Sequence, residues 1–156
     1  MSRTHLTYSL ILIAALLAGC SSSPKPEPVD LGFRYPHTRG YVFGELLTLA
    51  KKKWRIESSD EALGTVVTAW DVNLHGLNTF GRRHRLTLSI EGAPGEGYTV
   101  KASQETEQNT NSLNPTSNAE AEWEPIQSDG ALGHQFLVNF HRHMTPEESW
   151  KVGDER

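Results

Sequence analysis

His84-Arg85-Leu86-Thr87-Leu88-Ser89-Ile90-Glu91 alternates at every step, with Leu86, Leu88 and Ile90 on one side and Arg85, Thr87, Ser89 and Glu91 on the other. Successive side chains of a strand point to opposite faces, so this stretch reads as a strand with one covered and one solvated face. Gly92-Ala93-Pro94-Gly95-Glu96-Gly97 follows, and three glycines with a proline break any regular element there. Tyr98 to Glu105 resumes the alternation, with Tyr98, Val100 and Ala102 toward the core. The pair is an antiparallel hairpin whose apolar face needs a cover.

Upstream, Trp54 to Ser58 reads as a short strand, Asp60 to Leu63 as a turn, and Gly64 to Asp71 as a second strand rich in β-branched residues. In that strand Val66 and Trp70 share a face with Gly64 and Thr68. The cover comes from two helices. Tyr41 to Trp54 spaces Val42, Phe43, Leu46, Leu47, Leu49 and Ala50 along one stripe, with Lys51, Lys52 and Lys53 opposing the negative end of the helix dipole. Ala131 to Met144 does the same with Leu132, Phe136, Leu137, Phe140 and Met144, and Thr145-Pro146 closes it. Between them, Thr106 to Ser128 is polar and longer than an ordinary connection, hence functional or mobile. The expected fold is α+β in two layers: a four-stranded antiparallel sheet with both helices on one face.

The amino terminus supplies an address. Arg3 precedes an apolar stretch from Leu6 to Ala18, which ends in Leu17-Ala18-Gly19-Cys20. That layout is a signal peptide, and its last four residues resemble the bacterial lipobox, in which the cysteine is lipidated before cleavage. Cys20 is the lone cysteine, so disulfides within the chain and cysteine zinc sites are excluded. The expected organisation is residues 1–19 as lipoprotein signal peptide, 20–38 as a lipidated proline-rich tether, 39–146 as a single domain and 147–156 as a flexible tail. The lipid would be a diacylglyceryl group, with or without an N-acyl chain, and more than one chain is needed for stable anchoring.

Of the 156 residues 15 are basic and 19 acidic, a net charge of −4, which argues against nucleic acid, because binding phosphates calls for a clustered cationic excess. Seven histidines invite a metal test, but His141 and His143 lie two apart and cannot chelate from one helix face. Glu120, Glu122 and Glu124 alternate around Trp123, the pattern of exposed carboxylates on a loop. Neither a nucleophile elbow nor a phosphate loop nor a dinucleotide fingerprint is present, so the chain reads as a non-enzyme without a cofactor. The connection from Val72 to Arg83 is more informative. It carries Leu74, Leu77 and Phe80 and ends in Arg82 and Arg83, side chains that either pack locally or meet a partner. Trp70, Phe80, Arg82, Arg83 and Trp123 are the candidate partner-binding residues.

Trp54-Arg55-Ile56, Asp60, Gly64-Thr65-Val66-Val67-Thr68-Ala69-Trp70 and the basic entry into Leu86-Thr87-Leu88-Ser89-Ile90 together resemble the repeated module of BamC-like outer-membrane assembly lipoproteins. The Asn109 to Trp123 stretch is also similar to small planctomycete lipoproteins of unassigned function. The first resemblance implies a helix-grip fold and a non-enzymatic accessory of the β-barrel assembly machinery at the periplasmic face of the outer membrane. This chain departs from that pattern by carrying one module and a short tether, so no binding residue carries over. The reading is a lipid-anchored envelope interaction or scaffold protein that touches the membrane through its anchor. The alternative is an envelope lipoprotein holding a small lipid or glycan between helices and sheet, lined by Trp70 and Tyr98.

Overall fold

The long hairpin dominates the computed structural model, which describes residues 26–74 and 81–146. Its strands, numbered in chain order, are β5 (Arg82–Ala93) and β6 (Gly97–Asn109), in register from Arg82 opposite Gln108 to Ala93 opposite Gly97. The turn needs glycine at Gly92: its φ is 132°, and a Cβ there would sit 2.3 Å from the Gly97 carbonyl oxygen. The alternation holds as the sequence predicts. Leu86, Leu88, Ile90, Tyr98, Val100 and Ala102 are buried, while Thr87, Ser89, Lys101 and Ser103 look the other way.

The four-stranded sheet expected from the sequence is corrected to a seven-stranded antiparallel one, still in an α+β fold. Beyond β5, β3 (Thr65–Thr68) and β2 (Ile56–Asp60) continue the sheet. Three short strands were not foreseen. β1 (Val29–Asp30) pairs with β6 at Ala102 and Lys101, β4 (Asp71–Asn73) pairs with the start of β5, and β7 (Trp123–Ile126) pairs with the end of β6. They have two, three and four residues, too few to show a period, and they attach through main-chain bonds to an already formed edge. Pro125 is tolerated in β7 because it lies opposite Glu107 in a pair that exchanges no hydrogen bonds: the bonded positions are the neighbours, as Thr110 N–H donating to Glu122 O shows.

Val29–Asp30 and Tyr35, which the sequence reading assigns to the tether, are thus in contact with β6. Tyr35 exchanges two main-chain bonds with Tyr98 (2.8 and 3.0 Å) and meets the Phe140 ring edge-on at 5.3 Å. Burial pushes its hydroxyl pKa up to about 12.

Helix α1 (Arg39–Lys53) begins at Thr38, whose Oγ1 accepts from Tyr41 N–H, and buries Val42, Phe43, Leu46 and Ala50. Helix α2 (Ala131–Met144) buries Gly133, Phe136, Leu137 and Phe140. Gly133 brings its backbone close to β6, since a Cβ there would lie 3.2 Å from the Ala102 Cβ. Both helices share one apolar cluster with Val66, Leu86, Leu88 and Val100, so one sheet face is covered. Each fully buried Leu or Phe contributes about 2 kcal/mol to that layer. The other face, among the described residues, carries neither helix.

Candidate protein-contact site on the open sheet face

Trp70 is the residue whose placement differs most from expectation. The expected strand Gly64 to Asp71 breaks after Thr68; Thr68 and Ala69 are both buried, and Ala69 N–H bonds to Arg55 O. Two consecutive inward residues reverse the alternation. Trp70 therefore leaves the face of Val66 and lies on the open side, half-buried over Arg83 and Arg85, with 4.4 and 4.7 Å between guanidinium carbon and ring centre.

Trp123 arrives on the same side from β7, and Arg83 lies 4.7 Å from its ring centre. Arg83 is thus in reach of two indoles, each such contact being worth about 0.5–1 kcal/mol when partly exposed. Register then supplies the counter-charges. Glu107 stands opposite Arg83 and accepts from its Nε at 2.7 Å, and Glu105 stands opposite Arg85 and accepts from its Nη2 at 2.6 Å. Glu57 of β2 lies 3.7 Å from Arg85. The hydrogen bond that Arg85 donates to Glu105, more than any other influence, raises the Arg85 pKa, so its charge is permanent.

Of the five candidate residues, the structure brings Trp70, Arg83 and Trp123 together. Arg82 precedes Arg83 on β5 and so points to the opposite face, beside His84. Phe80 lies outside the described residues, as do Leu77, Cys20, the whole signal segment and the 147–156 tail. Arg85, Glu57, Glu105 and Glu107 were not singled out from the sequence. A signal existed: the turn at Pro94-Gly95-Glu96 fixes a register in which 83 meets 107 and 85 meets 105.

The 110–122 loop is tied down over this end of the sheet. Asn109 is fully buried; its Oδ1 accepts from Asn111 N–H (3.0 Å) and Glu122 N–H (3.1 Å), and its Nδ2 donates to Pro115 O (3.4 Å). Asn111 Nδ2 donates to Glu120 O, and Asn114 bonds the Glu120 carboxylate.

On the covered face a polar group ends the apolar layer. Gln104 Oε1 accepts from Leu132 N–H at 2.9 Å, its Nε2 donates to Thr106 Oγ1 at 3.2 Å, and Thr106 Oγ1 lies 3.1 Å from His84 Nδ1. Burial lowers the His84 pKa, with Arg82 acting in the same direction against Asp129 and Asp71. Trp70 and Tyr98, read as lining a ligand groove, lie on opposite faces: Tyr98 is 6% exposed in the core, and Phe140, Leu46, Leu86 and Leu88 fill the layer between helices and sheet. No helix among the described residues is long and apolar enough to cross a membrane.

No protein-family profile matches the chain, and no curated protein matches it. Among solved structures it is similar to a TBP-like protein from Parabacteroides distasonis ATCC 8503, at 13% identity over 81% of this chain and 85% of that one, with a TM-score of 0.36. That likeness is too slight to carry a functional argument.

Proposed function

We propose that this chain is a non-enzymatic, lipid-anchored protein of the bacterial cell envelope that engages a protein partner through its open sheet face. The observation that carries the reading is the convergence of Trp70, Arg83 and Trp123, with Arg85 beside them, on the side of the sheet that neither helix covers. Tryptophan and arginine are the residue types that most often dominate binding energy at interfaces. A held guanidinium between indoles has little ordering entropy left to lose on binding, which favours it as an anchor. Lipidation of Cys20 would keep this face near the periplasmic surface of the outer membrane, and the resemblance to BamC-like modules supplies the partner class, the β-barrel assembly machinery.

The test places a photo-crosslinking residue at Thr87 or Ser103 on the open face, and at Thr48 on α1 as a control, in cells expressing the lipoprotein. The expected result is an adduct with a β-barrel assembly subunit from the sheet positions alone, lost in Cys20→Ala and weakened at least tenfold by Trp123→Ala. Equal adducts from Thr48, or none from the sheet, would sink the reading.

A further inference from the structure

The β6 edge is interrupted. β1 covers it up to the pair Val29–Ala102 and β7 resumes at Thr106–Ile126, so Gln104, paired with Leu86 on its β5 side, has no strand partner on this edge among the described residues. The direction of its main chain follows from parity along the strand. Asn109 N–H bonds to Gly81 O on the β5 side, whereas Thr110 N–H bonds to Glu122 O and Tyr98 N–H to Tyr35 O on the other side. Even-numbered residues of β6 therefore direct both main-chain groups away from β5, and those of Gln104 face the break. The registers of β1 and β7, continued, would bring Glu27 and Ser128 opposite Gln104. Neither strand extends that far: β1 begins only at Val29, and Gln127 to Gly130 leads off into α2. The Gln104 side chain is committed to Leu132 N–H and Thr106 and does not fold back on its own backbone.

The break opens into a cleft of about 850 Å³ between the 26–29 and 125–130 segments. Among the described residues its charged lining is uniform: Glu27, Glu105, Glu107 and Asp129, with no lysine or arginine. Glu105 and Glu107 are held by Arg85 and Arg83, whereas Glu27 and Asp129 take part in none of the described ion pairs. From Ala102 to Thr106 the edge spans roughly 13 Å, room for two or three residues of an added strand.

We propose that this break is a docking slot for a short extended peptide segment bearing lysine or arginine. The Gln104 N–H and C=O take the peptide main chain as a strand would, and Glu27 and Asp129 receive the cationic side chain. The open edge sets the extended shape of the ligand, and the carboxylate lining sets its charge. The slot adjoins the open sheet face through Glu105 and Glu107, but its main-chain edge at Gln104 and its carboxylates at Glu27 and Asp129 lie outside that site, so the two readings are tested separately.

The test is hydrogen exchange on the full lipoprotein in detergent, read by mass spectrometry with peptides that isolate residues 103–106. The probes are the blocked pentapeptide Ser-Lys-Val-Lys-Ser, its Ser-Glu-Val-Glu-Ser counterpart, and the lysine peptide with its central amide N-methylated. The expected result is at least tenfold slower exchange at Gln104 with the lysine peptide alone, and about tenfold weaker binding in the Glu27→Gln, Asp129→Asn double variant. Equal protection by the acidic or the N-methylated peptide would overturn the proposal. So would a Gln104 amide already protected in the free chain, which would make the chain's own residues the occupant, or protection that grows with protein concentration, which would make it a second copy.

Discussion

Replacing Gln104 tests how helix α2 is held on the sheet. The helix starts after Gly130, which sits at φ 67° with no side-chain cap of its own, and the orphan N–H of Leu132 is satisfied by Gln104 from 28 residues away. Gln104→Ala removes that cap, worth about 1 kcal/mol. It also removes the bond to Thr106, about 1 kcal/mol more, and roughly one buried methylene's worth of packing, about 0.8 kcal/mol. The expected loss is about 3 kcal/mol, or a fall of about 1.5 M in the urea midpoint for a slope of about 2 kcal/mol/M. Gln104→Met keeps the volume and removes only the polar contacts, so it should lose about 2 kcal/mol. Equilibrium urea unfolding followed by circular dichroism measures both, with the Leu132 amide exchanging faster in each variant. If Gln104→Met stays within about 0.5 kcal/mol of the parent at unchanged slope, the distant cap contributes no net stability and the reasoning is wrong.

Other perturbations follow from the same geometry. His84 has a depressed pKa in the folded chain, so near pH 6 the unfolded chain binds more protons; stability should be flat above the ordinary value of 6.5 and fall as pH drops through the folded value, and urea midpoints of His84→Gln should show less of that fall. Gly92→Ala drives a Cβ into the Gly97 carbonyl at a backbone angle that alanine avoids, and should cost about 3 kcal/mol in thermal or urea unfolding; a loss under about 1 kcal/mol would mean that the hairpin can relax. Asn109→Ala leaves Glu122 N–H and Asn111 N–H without their acceptor, so proteolysis within 110–122 should quicken several-fold while the core amides of β5 stay protected.

How much was legible in the sequence depends on the range of the interaction concerned. The β5–β6 hairpin, the two helices and the identity of the covered face could all be read, because apolar side chains at period 2 or 3.6 are a local record of burial. The lysines at the end of α1 are local in the same sense. β1, β4 and β7 left no such record: Val-Asp, Asp-Val-Asn and Trp-Glu-Pro-Ile become strands only because β5 and β6 offer them main-chain partners. Trp70 was placed on the wrong face because one irregularity at Thr68–Ala69 reverses every residue after it, and alternation alone cannot see a bulge.

The candidate site divides the same way. Trp70, Arg83 and Trp123 were picked out by residue type, since large aromatics and arginines outside regular apolar patterns seek either packing or a partner. That Arg83 reaches two indoles, that Glu105 and Glu107 face the arginines, and that Arg82 points away are consequences of register and of β7 returning to the β6 edge. The sequence by itself determined the hairpin, the helices and the sidedness of the sheet, because burial is written residue by residue in the pattern of apolar positions. The tertiary structure alone decided the seven-strand edge, the aromatic–arginine cluster and the gap at Gln104, because main-chain pairing across long separations depends on which edges remain open once the core has closed.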